Sequence, residues 1–80
     1  MIKIRLNLNA KKNHVDLILK QFQLTNREAD IVRHVLLGKT NKEIAAALFI
    51  EETTVKVHLR QVFKKTAKPN RSQLMALFVS

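Results

Sequence analysis

At 80 residues the chain makes one small domain, near the lower end of what can bury a self-sufficient core. One Gly, one Pro and 5% aromatic residues argue against a strand-rich fold, 46% hydrophobic content argues against general disorder, and the absence of Cys excludes disulfides, thiol catalysis and cysteine-ligated zinc. Fifteen Lys and Arg against six Asp and Glu leave a formal charge of +9, a field that favours a polyanion. Nucleic acid is the commonest one, with an acidic membrane surface or an acidic protein as the alternatives.

Residues 2 to 8, Ile-Lys-Ile-Arg-Leu-Asn-Leu, alternate apolar and polar with period two, which is a strand pattern. Nothing later in the chain offers a partner strand, so this segment pairs with another copy, stays extended, or belongs to a larger ancestral sheet. The alternation is unlike a signal-peptide core. No apolar run approaches the ~18 residues that span a bilayer, so a cytoplasmic protein without membrane contact is expected. A helix over 13–22 follows, with Asn13 as cap and Val15, Ile18, Leu19 and Phe22 on one stripe.

From Leu24 the helix signals sharpen. Thr25 with Glu28 makes a capping box, and Ala29, Val32, Val35 and Leu36 recur at helical spacing, predicting a helix over 26–37. Gly38 sits where a left-handed closing residue belongs. Thr40 with Glu43 forms a second box and opens a short helix over 41–48 whose Ile44, Ala45 and Leu48 face inward. The link Phe49-Ile50-Glu51 is tight enough to set the next helix at a steep angle, with Ile50 stapling onto Val55. Phe49 is expected to pack within that turn, the alternative being a stack on a ligand.

The next helix runs over 52–66, with Val55, Leu59, Val62 and Thr66 as its core stripe. Opposite lie Thr53, Lys56, Val57, Arg60 and Lys64, of which Lys56, Arg60 and Lys64 align as a cationic ridge at i, i+4 and i+8. Pro69 ends the helix, and Asn70 with Gln73 caps a last one over 71–79. A cationic ridge opposite a core face suits the major groove of DNA, where Lys and Arg donate to guanine and a Val methyl meets the thymine methyl. The bland alternative is a solvated charged face.

The segments Leu24-Thr25-Asn26-Arg27-Glu28, Gly38-Lys39-Thr40-Asn41-Lys42-Glu43-Ile44-Ala45, Thr54-Val55-Lys56-Val57-His58 and Asn70-Arg71 occur in a telling order and spacing. Together they resemble the DNA-binding domain of LuxR/GerE-type (NarL/FixJ-like) transcription regulators, a four-helix helix-turn-helix module. The resemblance covers 24–80 and leaves 1–23 as a strand-plus-helix extension. It implies an all-α fold in which helix 52–66 is the recognition helix. Carried over by position, Lys56, Val57 and Arg60 become the base-edge candidates. Asn41, Lys42, Thr53, Thr54 and Lys64, at flanks or helix starts, become the phosphate candidates. Glu43 could instead pair with Lys56 and make it a structural lysine.

Two positions depart from the family pattern. Glu51, followed by Glu52, stands where a Ser or Thr cap is usual; acidic residues suit a helix start but repel phosphates. Thr66 replaces a usual leucine, which should thin the core. His58, at the edge of the core stripe, is expected to be a packed histidine, because no partner for an activated nucleophile stands at a compelling spacing. His14, His34 and His58 make no metal-ligand pattern. No catalysis, metal or cofactor is expected.

On the last helix Leu74, Leu77 and Phe78 form one stripe, Met75 and Val79 another. The resemblance implies that Leu74, Leu77 and Phe78 make a dimer contact, to which strands 2–8 of two copies could add; the alternative is that all five cover the chain's own core. The expected function is sequence-specific binding of double-stranded DNA and transcription regulation as a homodimer. Two rivals are an interaction protein that pairs with and inhibits a related regulator, favoured by Glu51 and Glu52, and a domain docking on RNA polymerase. The chain carries no receiver or small-molecule-binding domain, so it is a stand-alone regulator, as Met1 favours, or the effector end of something longer.

Overall fold

The computed structural model describes residues 14–79, and the expected strand over 2–8 lies outside them. Among the described residues every regular element is a helix: α1 (14–21), α2 (Asn26–Leu36), α3 (Asn41–Leu48), α4 (Glu52–Thr66) and α5 (Arg71–Val79). Both capping boxes form. Thr25 Oγ1 accepts from the Glu28 amide at 3.1 Å while Glu28 Oε1 accepts from the Thr25 amide at 2.9 Å. Thr40 and Glu43 repeat the exchange at 3.2 and 2.8 Å, so free amides of both first turns are satisfied by local sequence alone. Asn70 Oδ1 accepts from the Gln73 amide at 2.9 Å and opens α5.

Helix ends show what sequence reading missed. Gly38 takes φ +82°, and the amide of Lys39 reaches back to the His34 carbonyl, the six-to-one closure expected there. The same closure ends α1, α3 and α4 at Gln23, Phe49 and Ala67, with φ of 55°, 56° and 57°. None of these three is the Gly or Asn that would have signalled it. A non-glycine residue in this region costs about 1–2 kcal/mol, so tertiary packing rather than local preference sets these turns.

α2 packs chiefly on α4, which also receives α3; α5 lies against α2. The core gathers Ile31, Val32 and Val35 of α2, Ile44 and Ala45 of α3, Val55, Leu59 and Val62 of α4, and Leu74 and Phe78 of α5. Ile18 and Leu19 of α1 join it, with Val15 and Phe22 packed at its edge. Asp16 on α1 accepts from Arg33 on α2 at 3.2 Å, an exposed tie of small energetic weight. Ile50 lies against the cluster that contains Val55, consistent with a staple across the start of α4.

Thr66 is buried, and its hydroxyl donates to the Val62 carbonyl one turn back at 2.8 Å. The polar group in the core is therefore satisfied within its own helix. Phe49 departs from expectation: it is 94% exposed, outside the core altogether. Its left-handed backbone swings the side chain away from the interior while the adjacent Ile50 turns in.

Candidate nucleic-acid interface

α4 is held by its apolar stripe, which is buried along the full length of the helix at Val55, Leu59, Val62 and Thr66. That leaves Thr53, Lys56, Val57, Arg60 and Lys64 exposed on the outward side. Thr54 is half-buried at the margin. Of the residues on α3, Lys42 is exposed and Asn41 half-buried. Val57 is 50% accessible, which leaves its methyls available to a ligand.

An open groove of about 590 Å³ lies beside this face. The structure brings Asn41, Lys56 and Arg60 together along it, with Leu59, Phe63 and Pro69 supplying apolar lining. Lys42, Thr53, Thr54, Val57 and Lys64 do not line it. Arg71, Asn70 and Ser72 do, and sequence reading had not assigned them to the site. Arg71 donates from Nη1 to Asn41 Oδ1 at 2.6 Å and from Nη2 to the Lys39 carbonyl at 2.5 Å. It thereby ties the start of α5 to the start of α3. The adjacency of Asn70-Arg71 to the pattern was visible; the partners, 30 and 32 residues away, were not.

Lys56 pairs with Glu52 one turn earlier, at 3.9 Å. The pairing with Glu43 considered from the sequence is not made, because the Glu43 carboxylate closes the Thr40 box. Those hydrogen bonds, the backbone amide of Thr40 foremost, hold the Glu43 carboxyl below its usual range. Both side chains of the Lys56–Glu52 pair are about half accessible, so the contact is worth little and Lys56 can leave it for a stronger anion. His58 is half-buried, as a histidine at the edge of a core stripe should be.

A part-buried ion pair braces α4 from behind. Lys65 Nζ donates to Glu28 Oε1 at 2.7 Å, and Glu28 is only 4% exposed. Burial pushes the Glu28 carboxyl up, but hydrogen bonds from Lys65 and the Thr25 amide, with the Lys65 charge, outweigh it and hold the group below its usual range. The pair fixes the end of the helix against α2.

At the other end of α4 the Glu51 side chain makes no capping hydrogen bond, and only its carbonyl receives the first amides. Glu51→Ser should supply the missing acceptor and stabilise the fold by about 0.5–1 kcal/mol. The check is a thermal midpoint about 3–6 °C higher; an unchanged or lower midpoint contradicts the reading of this helix start as under-capped.

The family described as bacterial regulatory proteins of the luxR family (GerE) matches residues 22–78, which include α2 to α4, with the helix-turn-helix pair α3–α4, and α5 up to its last residue. The chain belongs to this family. Similar proteins include the regulatory protein YhcZ of Bacillus subtilis, 51% identical over 59 residues, covering 74% of this chain and 27% of the relative. The CsgBAC operon transcriptional regulatory protein of Escherichia coli is 49% identical over 53 residues, covering 66% and 24%. A nitrate/nitrite response regulator homologue of Haemophilus influenzae is 42% identical over 72 residues, covering 90% and 34%. The match thus spans about a quarter to a third of these longer relatives. No solved structure matches the chain. Relatives of this type are transcriptional regulators with a LuxR-type helix-turn-helix domain, for which DNA binding and regulation follow. Among the described residues no helix is long and apolar enough to cross a membrane.

Proposed function

We propose that the chain binds double-stranded DNA sequence-specifically and regulates transcription, with α4 in the major groove. The observation that carries this reading is the outward side of α4, where Lys56, Val57, Arg60 and Lys64 stand exposed together while the opposite stripe is buried. Lys56, Val57 and Arg60 reach base edges, and Asn41, Lys42, Thr53, Thr54 and Lys64 hold the flanking phosphates.

The active form is a homodimer, since two copies on a two-fold site double the phosphate contacts. Leu74 and Phe78, first assigned to the dimer contact, are 0% and 5% exposed in the chain's own core. The contact through α5 therefore uses its second stripe, where Val79 is 79% exposed and Met75 is half-buried at the edge of the core.

Salt titration of the purified chain on duplex DNA tests the proposal. A dimer neutralising about eight phosphates gives a log–log slope of about −7 between 50 and 200 mM salt, and sedimentation should find two copies per duplex. A slope near zero refutes electrostatic backbone binding. One observation favours a second reading, an interaction protein that pairs with a related regulator: the uncapped Glu51 and the Glu52 paired to Lys56 put negative charge at the entrance of α4. Failure to retain any sequence from a random duplex pool, with dimerisation intact, would favour that reading.

A further inference from the structure

We propose that Arg71 is a positioning residue for DNA binding: it orients the Asn41 side chain so that the amide donor of Asn41 meets a backbone phosphate. The inference rests on the DNA-binding reading above and adds a residue to it. Arg71 is a donor only, so the Asn41 atom facing it must be the carbonyl oxygen Oδ1. With Oδ1 held at 2.6 Å, the other end of the planar amide, the donor Nδ2, is left for the groove that Asn41 lines with Lys56 and Arg60.

A free asparagine would present oxygen or nitrogen about equally, and an oxygen facing a phosphate is repulsive. The guanidinium fork removes that choice. Its second arm, on the Lys39 carbonyl, holds the backbone just before the Thr40 cap. The first turn of α3 is then fixed by two independent devices, the capping box and Arg71. Arg71 is itself half-buried and engaged through both terminal nitrogens, one of them on Asn41, so its hold on Asn41 is direct.

Lysine cannot reproduce a fork that reaches two acceptors in a fixed plane. Arg71→Lys therefore keeps the charge and loses the orientation. Asn41→Asp does the reverse: it keeps an acceptor for Arg71, favours the helix start with its negative charge, and removes the donor. The experiment measures duplex affinity and its salt slope for wild type, Arg71→Lys, Asn41→Ala, Asn41→Asp and the double variant Arg71→Lys/Asn41→Ala, with helix content and thermal midpoint recorded for each.

Asn41→Ala should weaken binding about five- to tenfold, and Arg71→Lys, which restores the two-way amide choice, about twofold, on cognate and random duplexes alike. The salt slope should stay unchanged and the double variant should bind no more weakly than the weaker single. Asn41→Asp should remain as stable as wild type and bind worse than Asn41→Ala. Additive losses in the double variant, full affinity in Arg71→Lys, or wild-type affinity in either Asn41 variant would overturn the positioning role while leaving DNA binding intact. A wild type that shows no salt-dependent binding would instead overturn the DNA-binding reading on which the inference rests.

Discussion

Arg60→Ala and Lys64→Ala should fail in different ways. Both side chains are exposed on the outward face of α4, four residues apart and so one above the other on the helix. Arg60 lines the groove with Lys56, near the middle of that face, whereas Lys64 lies outside it toward the helix end. A planar guanidinium at the centre of a recognition helix can donate twice to one guanine edge, a contact worth about 1–3 kcal/mol of discrimination. Removing it should therefore weaken the cognate duplex by about tenfold or more while random duplex loses little, and preference at one base pair should relax. Lys64 is a point charge at the flank. Its loss should weaken all sequences alike and make the salt slope shallower by about one unit per site occupied. Competition binding on cognate and random duplexes at two salt concentrations separates the two. Equal losses on both duplexes for both variants would contradict base reading by Arg60.

Lys65→Met should be the most destabilising of the single changes considered for α4. It strands the Glu28 carboxylate, 4% exposed, with only the Thr25 amide to satisfy it. Breaking a buried pair from one side costs about 3–5 kcal/mol; the surviving bond to Thr25 and the one-third exposure of Lys65 place this case nearer about 2–3 kcal/mol. For a domain of this size that lowers the thermal midpoint by roughly 10–20 °C. Glu28→Gln should cost less, about 1 kcal/mol, because the amide oxygen still accepts from Thr25 and Lys65 can turn to water. Chemical denaturation of the two variants and their double combination gives the coupling directly. A Lys65→Met midpoint within error of wild type would refute the pair as a brace.

The pair also sets a pH dependence. Because folding holds the Glu28 carboxyl below its usual range, the unfolded chain binds the proton more readily. The stabilisation is therefore fully present above the ordinary glutamate value of about 4.3 and disappears as pH falls through the lower folded value. Without Lys65, burial, the largest influence on the carboxyl, is opposed by Thr25 alone and the group rises relative to wild type. The stability gap between wild type and Lys65→Met should thus be widest at neutral pH and narrow on acidification. A gap that stays constant from pH 7 down to about 3, well below the ordinary glutamate value, would show that Lys65 acts by packing instead of charge.

What the amino-acid sequence determined by itself was whatever depends on neighbours three or four residues apart. Thr25 with Glu28, Thr40 with Glu43 and Asn70 with Gln73 opened α2, α3 and α5 where their spacing placed them. Gly38 closed α2, and Val55, Leu59, Val62 and Thr66 became one buried stripe because helical periodicity fixes which residues share a face. The cationic side of α4 was legible for the same reason.

Only the tertiary structure decided which partners meet across the fold. Lys65 finds Glu28 at a separation of 37 residues, and Arg71 finds Asn41 at 30; no local rule predicts either. Gln23, Phe49 and Ala67 adopt left-handed turns against their own preference because the helices they join must reach the core at set angles. Phe49 is consequently turned to solvent, although its apolar character in a tight turn suggested packing. On α5 the sequence offered two apolar stripes for one core. The approach of α5 to α2 chose Leu74 and Phe78 for the interior and left Val79 outside, since a helix as short as α5 can bury only the side that faces its neighbour.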